Sequence, residues 1–118
     1  GESVLAIGLI GGRIRLYDYD EWKPVQVSCT KPHTGSCRAL LFSAPGTQLF
    51  SGGSDGALHQ RDVASNKTLW TQSEAHGSAV NALALLDANG VASGDDDGKL
   101  KLWDVRQRAV AMHFSEHQ

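Results

Sequence analysis

Three stretches of this 118-residue chain align at a nearly fixed spacing. Gly8-x-x-x-Gly12-x-x-x-x-Tyr17-Asp18 returns as Gly52-x-x-x-Gly56-x-x-x-x-Arg61-Asp62, and again as Gly94-x-x-x-Gly98-x-x-x-x-Trp103-Asp104. The second glycine of the set recurs after 44 and then 42 residues, and His33, His76 and His117 keep the same register at 43 and 41. A unit of this length is one supersecondary element that cannot bury its own apolar face, so neighbouring units must stack on one another. The spacing thus fixes a repeat architecture before any single residue is considered.

Within each unit the residues read as strands joined by tight turns. In the third, residues 79–86 are nearly all apolar, as in a strand covered on both faces. Asp87-Ala88-Asn89-Gly90 is a turn, residues 91–94 a second strand, and Asp96-Asp97-Gly98 a hairpin turn whose residue types tolerate the backbone angles of a two-residue loop. Residues 99–103 alternate polar and apolar, the period of a strand, and 109–114 form the outer strand. The middle unit repeats the plan at 37–43, 48–52, 58–62 and 67–71, turning at Ala44-Pro45-Gly46 and Ser54-Asp55-Gly56. The first lacks an inner strand and runs through 4–8, a turn at Gly11-Gly12, 13–17 and 25–27. This makes about eleven strands in repeats of about 1–32, 33–75 and 76–115, with 116–118 the start of a further one.

Composition narrows the function classes. A net charge of −2 gives no case for bulk nucleic-acid binding, which favours a strongly basic surface. No run approaches the roughly 18 apolar residues of a membrane span, and no signal peptide or transit sequence is read at the start. Cys29 and Cys37 are too few for a disulfide framework or a zinc site. They read as free thiols in a reducing compartment, Cys37 facing the core; a disulfide between them is the alternative.

His76, Ser93 and Asp97 invite a serine-hydrolase reading, since a histidine between a hydroxyl and a carboxylate is triad geometry. Against it, the set recurs in register as His33, Ser51 and Asp55, and no Gly-x-Ser-x-Gly elbow is present. A catalytic centre occurs once, whereas structural bonds recur in every repeat. Asp95-Asp96-Asp97-Gly98 resembles part of a calcium loop but lacks the alternate oxygen ligands and the bidentate glutamate. Gly11-Gly12 and Gly52-Gly53 open no helix that could receive a phosphate. No catalytic, metal or cofactor site is therefore expected, nor a small-molecule substrate.

Taken with their Trp-Asp ending, the repeats resemble the WD-repeat family over the whole chain. The resemblance implies an all-β fold of four-stranded antiparallel propeller blades, here about two and three-quarter blades of an unclosed propeller. It also implies a structural hydrogen-bond network of His76, Ser93, Asp97 and Trp103, with His33, Ser51 and Asp55 its counterparts in the middle repeat. That repeat departs from the pattern: Arg61 stands at the Trp position, and His59 and Gln60 lie where apolar strand residues are usual. Degeneration of the repeat and a functional surface are both readings of that departure. In the first repeat Gly11 takes the Asp position and Tyr17 the Trp position, and its histidine would precede Gly1.

Trp103-Asp104-Val105-Arg106 is similar to the ending of WD proteins that act as substrate receptors of cullin-4 ubiquitin ligases. The marked positions of that box are all present as Asp97, Trp103, Asp104 and Arg106. This implies partner binding through Arg106, beside Asp104, onto the ligase adaptor, since a planar guanidinium makes bidentate bonds to an acidic or carbonyl-rich surface. Segments 37–43, 74–81, 92–96 and Glu116-His117 resemble the early blades of a nucleolar WD-repeat group implicated in ribosomal RNA processing and ribosome biogenesis. The expectation is a non-enzymatic scaffold of the nucleus and nucleolus that binds pre-ribosomal proteins, with docking on the cullin-4 adaptor as the alternative. A general signalling or trafficking scaffold is a minor one.

Overall fold

The computed structural model describes residues 4–20, 23–43 and 46–115. Eleven strands appear among them: β1 (Val4–Gly8), β2 (Ile14–Asp20), β3 (Lys23–Thr30), β4 (Cys37–Phe42), β5 (Gln48–Gly53), β6 (Leu58–Asp62), β7 (Thr68–Gln72), β8 (Val80–Asp87), β9 (Gly90–Asp95), β10 (Lys99–Asp104) and β11 (Ala109–Ser115). They form three antiparallel sheets in simple up-and-down order: β1–β3, β4–β7 and β8–β11. Each sheet is one blade of a WD-type β-propeller, and the three do not close on one another. Expected and observed strands agree to within a few residues at each end. Ala44 and Pro45 of the expected turn and the expected start of a further repeat at 116–118 lie outside the described residues.

The blades stack through two apolar seams. Ile14, Leu16 and Leu49 are buried between the first and second blades, with Val4, Ala6, Leu40 and Phe42 packed around them. Leu58, Trp70, Ala75 and Trp103 fill the seam between the second and third, where the two indoles meet edge-on at 5.5 Å, a favoured aromatic geometry. Period-two alternation supplies both sides of each sheet. In β10, Trp103 turns into the seam, while Leu100 and Leu102 pair with Phe114 and Met112 of β11 on the opposite face. That opposite face is apolar and open: Leu86, Leu100, Met112 and Phe114 are all exposed. The same holds for Leu5 and Ile7 on β1. Such faces are what a neighbouring blade covers.

Turn glycines lock successive blades together. Gly12 and Gly56 both have positive φ, 92° and 79°. A Cβ on Gly12 would lie 2.1 Å from the His33 carbonyl oxygen, and one on Gly56 would lie 2.4 Å from that of His76. The hairpin glycines of the first two blades thus sit directly beneath the backbone of the next blade's histidine, the second closed by a 3.0 Å bond from His76 N to Gly56 O. Only glycine meets both the backbone angle and the space.

Both cysteines are free. Cys29 is exposed, whereas Cys37 is half-buried against Gly8, and burial pushes its thiol up to about 11.

Candidate functional site

The histidine networks come first, because they decide whether the chain carries chemistry. His76 precedes β8, Ser93 lies on β9 and Trp103 on β10, and the pairing of Ser93 with Lys101 and of Trp103 with Val91 sets them side by side. The direction of every bond follows from the donor inventory. The Trp103 indole can only donate, and it does so to Ser93 Oγ at 2.8 Å. Ser93 then gives its own proton to His76 Nε2 at 2.7 Å, so Nδ1 carries the hydrogen and donates to Asp95 Oδ2 at 2.8 Å. Ser93 is 0% exposed, and both its donor and an acceptor lone pair are committed. The wiring resembles a catalytic triad, but no attacking oxygen meets solvent.

Here the sequence reading is corrected. The carboxylate under His76 belongs to Asp95, not Asp97. Asp97 is exposed and contributes its backbone N–H to Asp95 Oδ1 at 2.9 Å, as does Lys99. In the middle blade the expected residue is the right one. His33 Nδ1 meets Asp55 Oδ1 at 3.1 Å, and Ser51 donates to Nε2 at 2.9 Å. Position 53 explains the difference. Gly53 is the counterpart of Asp95, one residue after the aligned Gly52 and Gly94. A Cβ there would fall 2.6 Å from both Asp55 Oδ1 and His33 Nδ1. With no side chain at 53, the turn aspartate occupies the space; with Asp95 present, that residue fills it itself.

Electrostatics agree with a structural role. Burial lowers the pKa of His33 and His76 despite their carboxylate partners, which keeps both rings neutral at pH 7. Burial alone would raise Asp55 and Asp95. Backbone N–H bonds, from Thr34 and Ala57 to Asp55 and from Lys99 and Asp97 to Asp95, together with the histidines, outweigh it and hold both carboxyls below the usual range.

The middle blade replaces its missing tryptophan with polar groups. Arg61 turns to its own loop, donating to Asn66 O at 2.8 Å and Thr68 Oγ1 at 3.2 Å. His59 packs edge-on against His33 with centroids 4.9 Å apart and bonds Thr71 Oγ1 through Nδ1 at 3.2 Å. Lys101, its counterpart in β10, reaches the Ala75 carbonyl. Among the described residues no cluster of three or more His, Cys, Asp or Glu could hold a metal ion.

The remaining candidate is the β10–β11 loop. Asp104 Oδ1 accepts from Arg106 N at 3.0 Å and Gln107 N at 3.4 Å, which fixes the turn. The Arg106 side chain is 69% exposed and touches Asp104 only at 3.7 Å, so its guanidinium is presented outward. Of the four box positions, Trp103 is buried in the seam, Asp104 holds the loop, the exposed Asp97 lies beyond the other end of β10, and Arg106 projects from the loop itself.

The sequence pattern described as "WD domain, G-beta repeat" matches residues 22–62 and 66–104. The chain belongs to the WD-repeat family. It is 38% identical to zebrafish (Danio rerio) WD repeat-containing protein 55, over 99% of this chain and 31% of the relative. The Arabidopsis thaliana protein of that name is 34% identical over 98% of the chain and 33% of its own length, and the human one 33% over 98% and 31%. The chain thus spans about a third of the length of the curated relatives it matches. Among solved structures, a chain of the mitotic checkpoint complex superposes with a TM-score of 0.84 at 26% identity, covering 95% of this chain and 35% of that one. The computationally designed Ika8 protein gives 0.83 at 26% identity, over 98% and 34%. Membership in this family is consistent with a protein-interaction scaffold, and WD-repeat scaffolds are generally non-enzymatic.

Proposed function

We propose that these blades belong to a non-enzymatic protein-interaction scaffold, a nuclear and nucleolar factor in ribosomal RNA processing and ribosome biogenesis. The observation that carries this reading is the likeness, over nearly the whole chain, to proteins named WD repeat-containing protein 55 from animals, a plant and an amoeba. The non-enzymatic part rests on the burial of both serine hydroxyls inside hydrogen-bond networks that recur from blade to blade. A second reading, docking on the cullin-4 ligase adaptor, is favoured by one feature: the outward guanidinium of Arg106 on a loop held by Asp104.

Affinity purification of the protein carrying these blades, wild type beside Arg106→Ala, separates the two. Recovery of pre-ribosomal proteins with both forms supports the biogenesis scaffold. Recovery of the cullin-4 adaptor with wild type alone supports the ligase receptor. Recovery of neither set removes both.

A further inference from the structure

Gln60 is the least expected buried residue in the chain. It lies four residues after the hairpin glycine of its blade, where the other two repeats have Leu16 and Leu102. It is only 4% exposed, yet it brings an amide into an apolar register. A buried polar residue that breaks an otherwise consistent pattern marks a site where something other than packing was selected. Gln60 Nε2 donates to Gln48 Oε1 at 2.8 Å, and the pair forms one wall of a cleft of about 500 Å³ between the second and third blades. Leu69 adds an apolar patch, Asn89 a further amide, and Arg106 and Arg108 line the opposite side.

We propose that this cleft binds a peptide segment carrying a carboxylate side chain next to an apolar one. The cleft has two guanidiniums and no acidic lining residue, in a chain whose net charge is −2. Among the described residues Arg108 has no ion-pair partner, and the Gln48 amide nitrogen has no acceptor. Arg108 is also held at φ 53°, a left-handed backbone. The counterpart loop position in the middle blade is Asn66, at φ 58°, a residue type that adopts this conformation readily. Arginine there accepts backbone strain and gains a cation at the cleft. Guanidiniums bind carboxylates through paired, charge-assisted bonds, and the glutamine amides supply neutral donors beside them. Leu69 favours an apolar neighbour on the ligand. A single-stranded nucleic acid fits less well, because no aromatic ring lines the cleft to stack a base.

The cleft shares Arg106 with the ligase reading, so the test rests on Gln60 and Arg108, which are not among the four box positions. The test is selection of a phage-displayed dodecapeptide library on the protein carrying these blades. The enriched peptides are then synthesised and titrated by fluorescence anisotropy against wild type, Arg108→Glu, Gln60→Leu and the remote control Arg13→Glu. Enriched peptides should carry Asp or Glu beside an apolar residue. Their affinity should fall at least tenfold in Arg108→Glu and about threefold or more in Gln60→Leu, and stay unchanged in Arg13→Glu. Gln60→Leu restores the leucine of the other repeats, so its unfolding midpoint should match or exceed wild type, which separates loss of a ligand contact from loss of fold. Absence of enrichment, enrichment without acidic residues, or affinity indifferent to Arg108→Glu overturns the proposal. So does tighter binding of a poly(U) probe through the same arginines. If Arg106→Ala abolishes adaptor recovery while Gln60→Leu does not weaken the selected peptides, the ligase reading survives and this one fails.

Discussion

The middle and last blades solve one problem with different residues. Each must satisfy a histidine buried at the end of the preceding loop. The last blade does it with a closed chain of four groups, Trp103 to Ser93 to His76 to Asp95. The middle blade uses three, Ser51, His33 and Asp55, and substitutes His59 for the indole as a packing partner. The lesson is that the recurring requirement is a neutral buried imidazole with both nitrogens bonded. Which carboxylate meets it depends on whether the residue after the recurring strand glycine has a side chain, and the aromatic group differs because Arg61 stands where the last blade has Trp103.

The blades meet through Gly56, and the largest effect should come from there. Gly56→Ala would place a methyl 2.4 Å from a backbone oxygen of the last blade at a φ of 79°, so neither side can move cheaply. A loss of about 3–5 kcal/mol is expected from strain and overpacking together. Gly46→Ala is the control: its φ is 77°, but nothing lies within 4 Å, so only the backbone penalty of about 1 kcal/mol applies. Denaturant midpoints measured on the two variants should differ clearly; equal losses would show that the blade contact at Gly56 is not what demands glycine.

Next in size is the removal of the serines. Ser93→Ala orphans two buried groups, the Trp103 N–H and His76 Nε2, and should cost about 2–4 kcal/mol. Ser51→Ala orphans only His33 Nε2 and should cost about 1–2 kcal/mol. Chemical denaturation of the two variants ranks them. A Ser51 loss equal to that of Ser93 would mean that the indole bond adds nothing and that the two networks are energetically alike.

Much of this comparison was legible in the sequence. The glycine spacing located the β1–β2, β5–β6 and β9–β10 hairpins, and period-two alternation over 99–103 identified β10. The recurrence of His, Ser and Asp gave the middle network residue for residue. The carboxylate of the last blade was misassigned because spacing alone favours Asp97, and a run of three aspartates hides which one faces inward. The signal that could have found Asp95 is its alignment with Gly53, a position whose occupancy decides the matter. Nor could spacing show that Gln60 is buried on a cleft wall beside Arg108, since that juxtaposition comes from the stacking of two blades.

That misassignment suggests a variant that interconverts the two solutions. Asp95→Gly gives the last blade the glycine of the middle one, which opens the space that Asp55 occupies under His33. Asp97 should then swing beneath His76, so the loss should be limited to about 1 kcal/mol, whereas Asp95→Gly with Asp97→Asn should lose about 1–2 kcal/mol more. Asp97→Asn alone should be nearly silent, because Asp97 contributes only its backbone N–H. A double-mutant cycle on unfolding free energies checks it; strict additivity would show that Asp97 cannot replace Asp95.

The smallest effect is a pH dependence that should distinguish the two blades. Burial, the neighbouring His33 and Arg61 push His59 down to about 4, against the modest opposing pull of Asp55 and the Pro32 backbone. In the unfolded chain an ordinary histidine takes up a proton below about pH 6.5. Between that value and about 4 the unfolded state therefore binds more protons than the folded one, and stability must fall as pH is lowered through the window. His33 and His76 are shifted in the same direction and contribute the same sign from both blades. In the middle blade His59 packs against the network histidine, whereas its counterpart in the last blade is Lys101 and that blade's other described histidine, His113, is exposed on β11. His59→Gln should therefore flatten the pH 4–6.5 slope of the unfolding midpoint, and Lys101→Gln should change it far less, since its repulsion of His76 is a small part of that residue's lowering. If both substitutions leave it unchanged, the slope belongs to the network histidines alone, and His59 is solvated more freely than its contact with His33 implies.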